Sequence, residues 1–325
     1  MEMPLLAVDN LSIAFDTDEG SFTVVDGVSF DLKPGEIVGL VGESGCGKSV
    51  TALGLLRLIP SPPGRIIGGR ISLDGEDLMG LPIREMRRIR GQTISMVFQE
   101  PGSALSPLHR IGRQLIETVR LHRDIDRVAA EQMAEEWLRK VRIPDPKERM
   151  SAYPHQLSGG MQQRIMIAMA LMLEPRIVIA DEPTTALDVT IQAQIFGLIR
   201  EMRRRDTAVL LITHDLGVVW EMCDRVVVMY AARIAESAPV DDLFRRPVHP
   251  YTQGLLDSIP RLSGRPGKLS AIRGQVPSPM HFPSGCHFRD RCSYAFDRCA
   301  TEIPPAITVG RDHQAACFLA EENHK

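Results

Sequence analysis

The sequence predicts an α/β domain with a mainly parallel sheet and helices on both faces, followed by a small irregular region rich in cysteine. Short Val- and Ile-rich runs alternate with longer segments of helical spacing, the pattern of strand–helix–strand units. A Gly-rich turn joins one early run to a helical segment, and beyond residue 240 prolines interrupt the chain ahead of four cysteines. In order, residues 36–42 read as a buried strand ending in that turn, and 49–58 as the helix after it. Residues 70–78 carry Asp74-Gly75 between apolar flanks and predict a hairpin. Residues 94–98 form a further strand. The stretch 111–141 predicts helix, with Leu115, Val119, Ala130, Met133, Ala134 and Leu138 on apolar faces. A long apolar helix over 161–173 leads into a strand at 177–180. A helix over 191–203 precedes a strand at 209–213, and 225–229 starts another. Pro247, Pro250, Pro260, Pro266, Pro277, Pro279 and Pro283 place a boundary near residue 245. Two domains are therefore expected, 1–245 and 246–325.

Composition narrows the classes of function. The 325 residues suffice for one large domain and an appendage. Against 41 Asp and Glu stand 38 Lys and Arg, a formal net charge of −3. No general attraction therefore draws the chain to nucleic acid or to anionic lipid. No apolar run approaches the ~18–20 residues of a spanning helix, and Met1-Glu2-Met3-Pro4 lacks the basic-then-apolar pattern of a secretory signal. A soluble chain remaining in the cytoplasm is expected, where structural disulfides are not. Of six cysteines, Cys46 and Cys223 are isolated, while Cys286, Cys292, Cys299 and Cys317 fall near the end.

Gly42-Glu43-Ser44-Gly45-Cys46-Gly47-Lys48-Ser49 matches G-x-x-x-x-G-K-[ST] between a strand and a helix. Glycines let the backbone wrap phosphate oxygens, and successive N–H groups at a helix N-terminus face the negative charge. Lys48 is expected to reach the β- and γ-phosphates of ATP, and the Ser49 hydroxyl to coordinate Mg²⁺. The strand at 177–180 runs into Asp181-Glu182. One carboxylate there can hold Mg²⁺ and the next can activate the attacking water. Asp181 takes the first role and Glu182 the second. Cys46 lies among N–H groups beside Lys48, a setting that can lower its thiol pKa and make it reactive; a small residue chosen only for fit is the alternative reading.

Leu157-Ser158-Gly159-Gly160-Met161-Gln162, taken with the phosphate loop and Asp181-Glu182, resembles the nucleotide-binding domain of ABC transporters. The same pattern asks for a Gln after a strand, an Ala-Leu-Asp after the catalytic Glu and a His after the next strand. Gln99, Ala186-Leu187-Asp188 and His214 answer in order. The resemblance implies a P-loop NTPase fold of RecA-like type, an ABC cassette with a helical subdomain inserted at about 105–172. Ser158, Gly159 and Gly160 would cap the γ-phosphate of ATP on an opposite cassette, and Asp188 would pack across the pair. Gln99 would sense Mg²⁺ and the attacking water, and His214 the γ-phosphate. Phe15 stands where an aromatic stacks on adenine, with Phe22 as its rival. Val50 replaces a frequent Thr beside Ser49, with Thr51 next; Met161 replaces a frequent Gln, with Gln162 next.

Tyr153-Pro154-His155-Gln156, the run 180–194, His249-Pro250-Tyr251-Thr252-Gln253 and the cysteine segment are similar to oligopeptide/dipeptide permease ATPases. That likeness covers nearly the whole chain. It implies a peripheral subunit on the cytoplasmic face of the inner membrane. Its expected partners are two permease subunits, a second related ATPase or a second copy, and an extracytoplasmic solute-binding protein. Residues 100–114 would face the permease. Related systems carry nickel, glutathione or sugars, and non-transport ABC ATPases share the motifs. The four C-terminal cysteines, separated by five, six and seventeen residues, lack the C-x₂-C pair usual in small zinc sites. Spacing leaves the metal open, and His287 and His313 keep a mixed Zn²⁺ site in play. The family resemblance implies a 4Fe–4S cluster on Cys286, Cys292, Cys299 and Cys317.

Overall fold

The computed structural model describes residues 3–184, 187–203, 206–259 and 272–322. Ala186, Pro260 and Pro266, which enter the readings above, lie outside the described residues. The chain divides into two compact units. One comprises the described parts of Met1–Leu32, Ile37–Met79 and Ile212–Lys325, the other those of Lys33–Glu36 and Gly80–Leu211.

The first unit holds a sheet that the sequence reading did not anticipate. Strands β1 (Leu6–Thr17) and β2 (Gly20–Leu32) run antiparallel. With β4 (Gly64–Leu73) and β5 (Glu76–Asp77) they form a sheet of order β2-β1-β4-β5. The register explains the omission. Shifts between Val8 and Leu11 and between Leu11 and Ile13 break the alternation, so buried Leu6, Val8, Leu11 and Ile13 are unevenly spaced. The hairpin at 70–78 is present as β4–β5, turning at Asp74 and Gly75, whose φ angles are 50° and 84°.

A second set of strands in this unit is β3 (Ile37–Val41), β9 (Arg225–Tyr230), β10 (Arg233–Pro239), β11 (Ile307–Gly310) and β12 (His313–Ala315). Their order is β11-β12-β10-β9-β3. β3 and β9 are parallel, with Val38 opposite Arg225 and Val41 opposite Val228. Every residue of β3 is buried, which is why it reads as a continuous apolar run. β10 is antiparallel to β9 and to β12, so residues beyond 300 extend the same sheet.

The second unit contains β6 (Ile94–Val97), β7 (Ile177–Asp181) and β8 (Ala208–Ile212), in the order β8-β7-β6. β6 and β7 are parallel, Ile94 facing Ile177 and Val97 facing Ala180. All three strands are buried end to end. The expected continuous helix over 111–141 is two, Ile111–His122 and Arg127–Lys140. Asp126 makes the break: its carboxylate accepts the Ala129 N–H at 2.7 Å and caps the second helix. Leu115, Val119, Ala130, Ala134 and Leu138 are buried as their spacing predicts. The helices Gly159–Leu171 and Val189–Arg203 complete the elements that carry motif residues.

Candidate functional site

The loop between β3 and the helix Lys48–Leu55 is shaped by its glycines. Gly42, Gly45 and Gly47 have φ angles of 151°, 82° and 107°. A Cβ on Gly42 would stand 2.2 Å from the Met229 carbonyl oxygen, and one on Gly47 2.5 Å from that of Val24. Backbone approaches that closely only where there is no side chain. Lys48 is buried, and its ammonium donates to the carbonyls of Gly42 at 2.8 Å and Glu43 at 3.0 Å. A loop of N–H groups opening a helix, with a cation folded into it, is suited to a polyphosphate. Ser44 and Gly45 are exposed, while Ser49 and Val50 are half-buried in the first turn. Thr51 does not substitute for Val50, because its buried hydroxyl donates to the Gly47 carbonyl at 2.9 Å.

Of the two readings of Cys46, the fold favours the small residue chosen for fit. Its side chain is fully buried, and burial pushes the thiol up although the Lys48 ammonium lies 3.7 Å from the sulfur. Desolvation of the thiolate outweighs that charge. In this loop Cys46 is a small apolar filler.

Two side chains from far along the sequence reach Glu43. The Tyr251 hydroxyl accepts its N–H at 2.8 Å, and Arg291 grips its carboxylate at 2.6 and 3.0 Å. They lie 208 and 248 positions away, and no spacing in the sequence signals either contact. Beside the loop, a cavity of about 280 Å³ is lined by Gly42, Glu43, His214, Leu255 and Ile259, among others. Phe15 and Phe22 are register partners on β1 and β2, their rings 6.3 Å apart and nearly parallel. The rivals for the adenine position are thus one half-buried aromatic pair.

In the second unit, Asp181 ends β7 and is buried. Glu182 follows with a φ of 45°, a left-handed conformation that a non-glycine residue adopts at a cost of order 1 kcal/mol. The Gln99 amide donates to the Glu182 carboxylate at 3.4 Å, so these two expected residues meet. Ser158 caps the helix Gly159–Leu171, its hydroxyl accepting the Met161 N–H at 3.3 Å. Ser158 and Gly159 are exposed at that helix N-terminus. Gln163, not singled out by its sequence position, is fully buried and donates to the Pro183 carbonyl at 2.9 Å. It ties the helix Gly159–Leu171 to the turn after Glu182. Asp188 is exposed and accepts the Ile191 N–H at 3.0 Å, starting the helix Val189–Arg203.

Cys286, Cys292, Cys299 and Cys317 are half-buried free thiols. Burial raises Cys286, Cys292 and Cys317, the last to about 11, and the charges of the other cysteines add to the rise. The Cys292 sulfur also receives the Tyr294 N–H at 3.4 Å. The four are therefore electrostatic neighbours. Among the described residues, however, no three His, Cys, Asp or Glu side chains gather as ligands of one metal ion. The expectation of a metal centre on these cysteines, iron–sulfur or mixed zinc, thus meets no ready-made ligand set among the described residues. His287 is bonded to the Ala231 carbonyl at 2.7 Å, and His313 to the buried Glu236 at 2.7 Å. No helix among the described residues is long and apolar enough to cross a membrane.

Comparison with known proteins adds the wider context. Residues 25–185 match the family described as ABC transporter, and residues 235–299 match the oligopeptide/dipeptide transporter C-terminal region. A probable peptide ABC transporter ATP-binding protein of Sinorhizobium fredii is 50% identical over 98% of this chain and 96% of its own length. The oligopeptide transport ATP-binding protein AppD of Bacillus subtilis is 48% identical over 98% of this chain and 97% of its own. Among solved structures, the ATP-binding cassette MJ0796, a dimer with ADP and Pi, superposes with a TM-score of 0.66 at 26% identity. It covers 72% of this chain and 98% of that cassette.

Proposed function

The chain belongs to the ABC transporter family, among its peptide-transport ATP-binding subunits, and we propose that it hydrolyses ATP to drive uptake of di- and oligopeptides through separate permeases. The carrying observation is the full-length likeness to peptide-transport ATP-binding proteins, which includes the C-terminal match at 235–299. In this reading residues 1–245 form the cassette, with its helical subdomain at about 105–172, and 246–325 the C-terminal domain. The N–H groups of the loop from Gly42 to Lys48 receive phosphate oxygens, Lys48 neutralises the β- and γ-phosphates, and Phe15 packs on the base. Ser49, Gln99 and Asp181 would hold Mg²⁺, which supplies charge neutralisation at the transferred phosphoryl group. Glu182 takes a proton from the attacking water, and His214 contacts the γ-phosphate. Ser158, Gly159, Gly160 and Asp188 serve the nucleotide of an opposite cassette, which is a second copy or a related ATPase. The subunit works at the cytoplasmic face of the membrane with two permeases and an extracytoplasmic binding protein.

Glu182→Gln tests the chemistry. An amide cannot accept the proton, so ATP binding is retained while turnover falls on the order of 10²–10⁴-fold. Turnover within a few-fold of wild type would remove Glu182 from its role. Uptake assays in cells lacking the chain test the cargo. Loss of labelled di- and oligopeptide uptake is expected; intact peptide uptake with lost nickel or glutathione uptake would select the alternative solute.

The reading extends to a 4Fe–4S cluster held by Cys286, Cys292, Cys299 and Cys317. Four half-buried free thiols in the C-terminal segment, with the Tyr294 N–H donating to the Cys292 sulfur, support it, beside the likeness to peptide-transport ATP-binding proteins. The cluster would supply a cross-link within a segment of little secondary structure. Anaerobically purified protein is expected to carry iron and acid-labile sulfide near four each per chain. Zinc without sulfide would overturn the cluster.

A further inference from the structure

We propose that Arg291 and Tyr251 are positioning residues that set the phosphate loop's affinity for ATP by holding and neutralising Glu43. This rests on the reading of residues 42–49 as a phosphate loop. Glu43 is an awkward residue for such a loop. Its carboxylate places a negative charge beside N–H groups that are to receive a polyphosphate, and its own N–H needs an acceptor. Both needs are met from the C-terminal region. The Arg291 guanidinium pairs with the carboxylate at 2.6 and 3.0 Å, and the Tyr251 hydroxyl accepts the N–H at 2.8 Å.

The two holders are themselves tightly fixed. The Arg291 side chain is 6% exposed. Its Nε donates to the Arg273 carbonyl at 2.8 Å and Nη2 to that of Gly274 at 3.3 Å. The guanidinium also lies over the rings of Tyr230 and Phe288, 5.6 and 6.0 Å from their centroids. Tyr251 is fully buried against the same two rings, at 4.6 and 5.4 Å. Nearly every donor of Arg291 is committed, and among the described residues the carboxylate it pairs with is Glu43. A fork anchored this firmly presents a fixed geometry to the loop. In its absence the carboxylate is left uncompensated and free to swing toward the incoming phosphates.

The test measures affinity and fold stability together on the full-length chain, titrating a fluorescent ATP analogue and recording the melting temperature. Arg291→Ala is expected to raise Kd about tenfold or more, and Tyr251→Phe, which keeps the ring, about fivefold. KM for ATP should rise by a larger factor than kcat falls. The decisive variant is Glu43→Gln combined with Arg291→Ala. Removing the charge that Arg291 balances should bring Kd back to within about threefold of Glu43→Gln alone. If Arg291→Ala and Tyr251→Phe lower the melting temperature but leave Kd within about twofold of wild type, the pair serves only the fold and the proposal fails. A double variant as weak as Arg291→Ala alone would equally reject neutralisation of Glu43. Lys48→Ala separates this from the premise: if it binds ATP like wild type, the phosphate-loop reading itself is wrong.

Discussion

The sulfur of Cys46 lies 3.7 Å from the Lys48 ammonium yet is sealed from water, and its environment favours the neutral thiol. Modification by maleimide should require local opening of the loop. Its rate is expected to be at least about a hundredfold below that of a free cysteine, as read by peptide mass spectrometry. Rapid native-state labelling of Cys46 would contradict the buried placement. His249 offers a second residue-scale test. It is buried, its Nδ1 accepts the Tyr251 N–H at 3.0 Å, and burial lowers its pKa to about 4 from 6.5. The acceptor role requires the neutral ring. The groups around it are Glu236, which accepts the His249 N–H at 2.9 Å, His313 on the same carboxylate, and Tyr251. Because the folded pKa lies below the unfolded one, the unfolded chain takes up the proton first as pH falls. The contribution is intact above about pH 6.5, declines between 6.5 and 4, and by pH 5 amounts to a loss of about 2 kcal/mol. Denaturant unfolding at pH 7 and pH 5 should show that loss in the wild type and a smaller one in His249→Gln. Equal losses would remove His249 as the source.

At the scale of elements, the phosphate loop separates two kinds of glycine. Gly42 has both a left-handed φ of 151° and a neighbouring carbonyl 2.2 Å from where a Cβ would stand. Gly45 has a φ of 82° and nothing within 4 Å. Gly42→Ala should therefore cost about 2 kcal/mol or more and abolish nucleotide binding, whereas Gly45→Ala should cost about 1 kcal/mol. Thermal unfolding and ATP titration of the two variants provide the check; equal costs would mean that the loop yields at Gly42. Element boundaries were legible where one local rule governs them. β3, β6 and β7 are uniform buried runs, and Ser158 starts its helix as a capping residue. They were illegible where two rules compete. Bulges in β1 scramble its alternation, and Asp126 opens a new helix inside what looks like one continuous apolar period.

At the scale of the whole molecule, Ser158 and Gly159 present an exposed helix N-terminus. If they complete the site of an opposite cassette, a dilute single chain lacks that set of transition-state donors. Its turnover should then be about 10²-fold or more below that of the assembled transporter, the scale of losing an oxyanion-type donor. Full turnover by a chain shown to be monomeric at the assay concentration would contradict this. The sequence by itself determined the α/β class, the Gly-rich loop at 42–49, the order of Ser158-Gly159-Gly160, Asp181-Glu182 and His214, and the presence of four late cysteines. Those features depend on neighbours a few residues apart, where dihedral preference, periodicity and helix capping act. Tertiary structure alone decided that Cys46 is buried, that Gln99 meets Glu182, that Phe15 pairs with Phe22, and that Tyr251 and Arg291 converge on Glu43. Burial and long-range pairing depend on how the whole chain folds back on itself, and residues 248 positions apart carry no local mark of their contact.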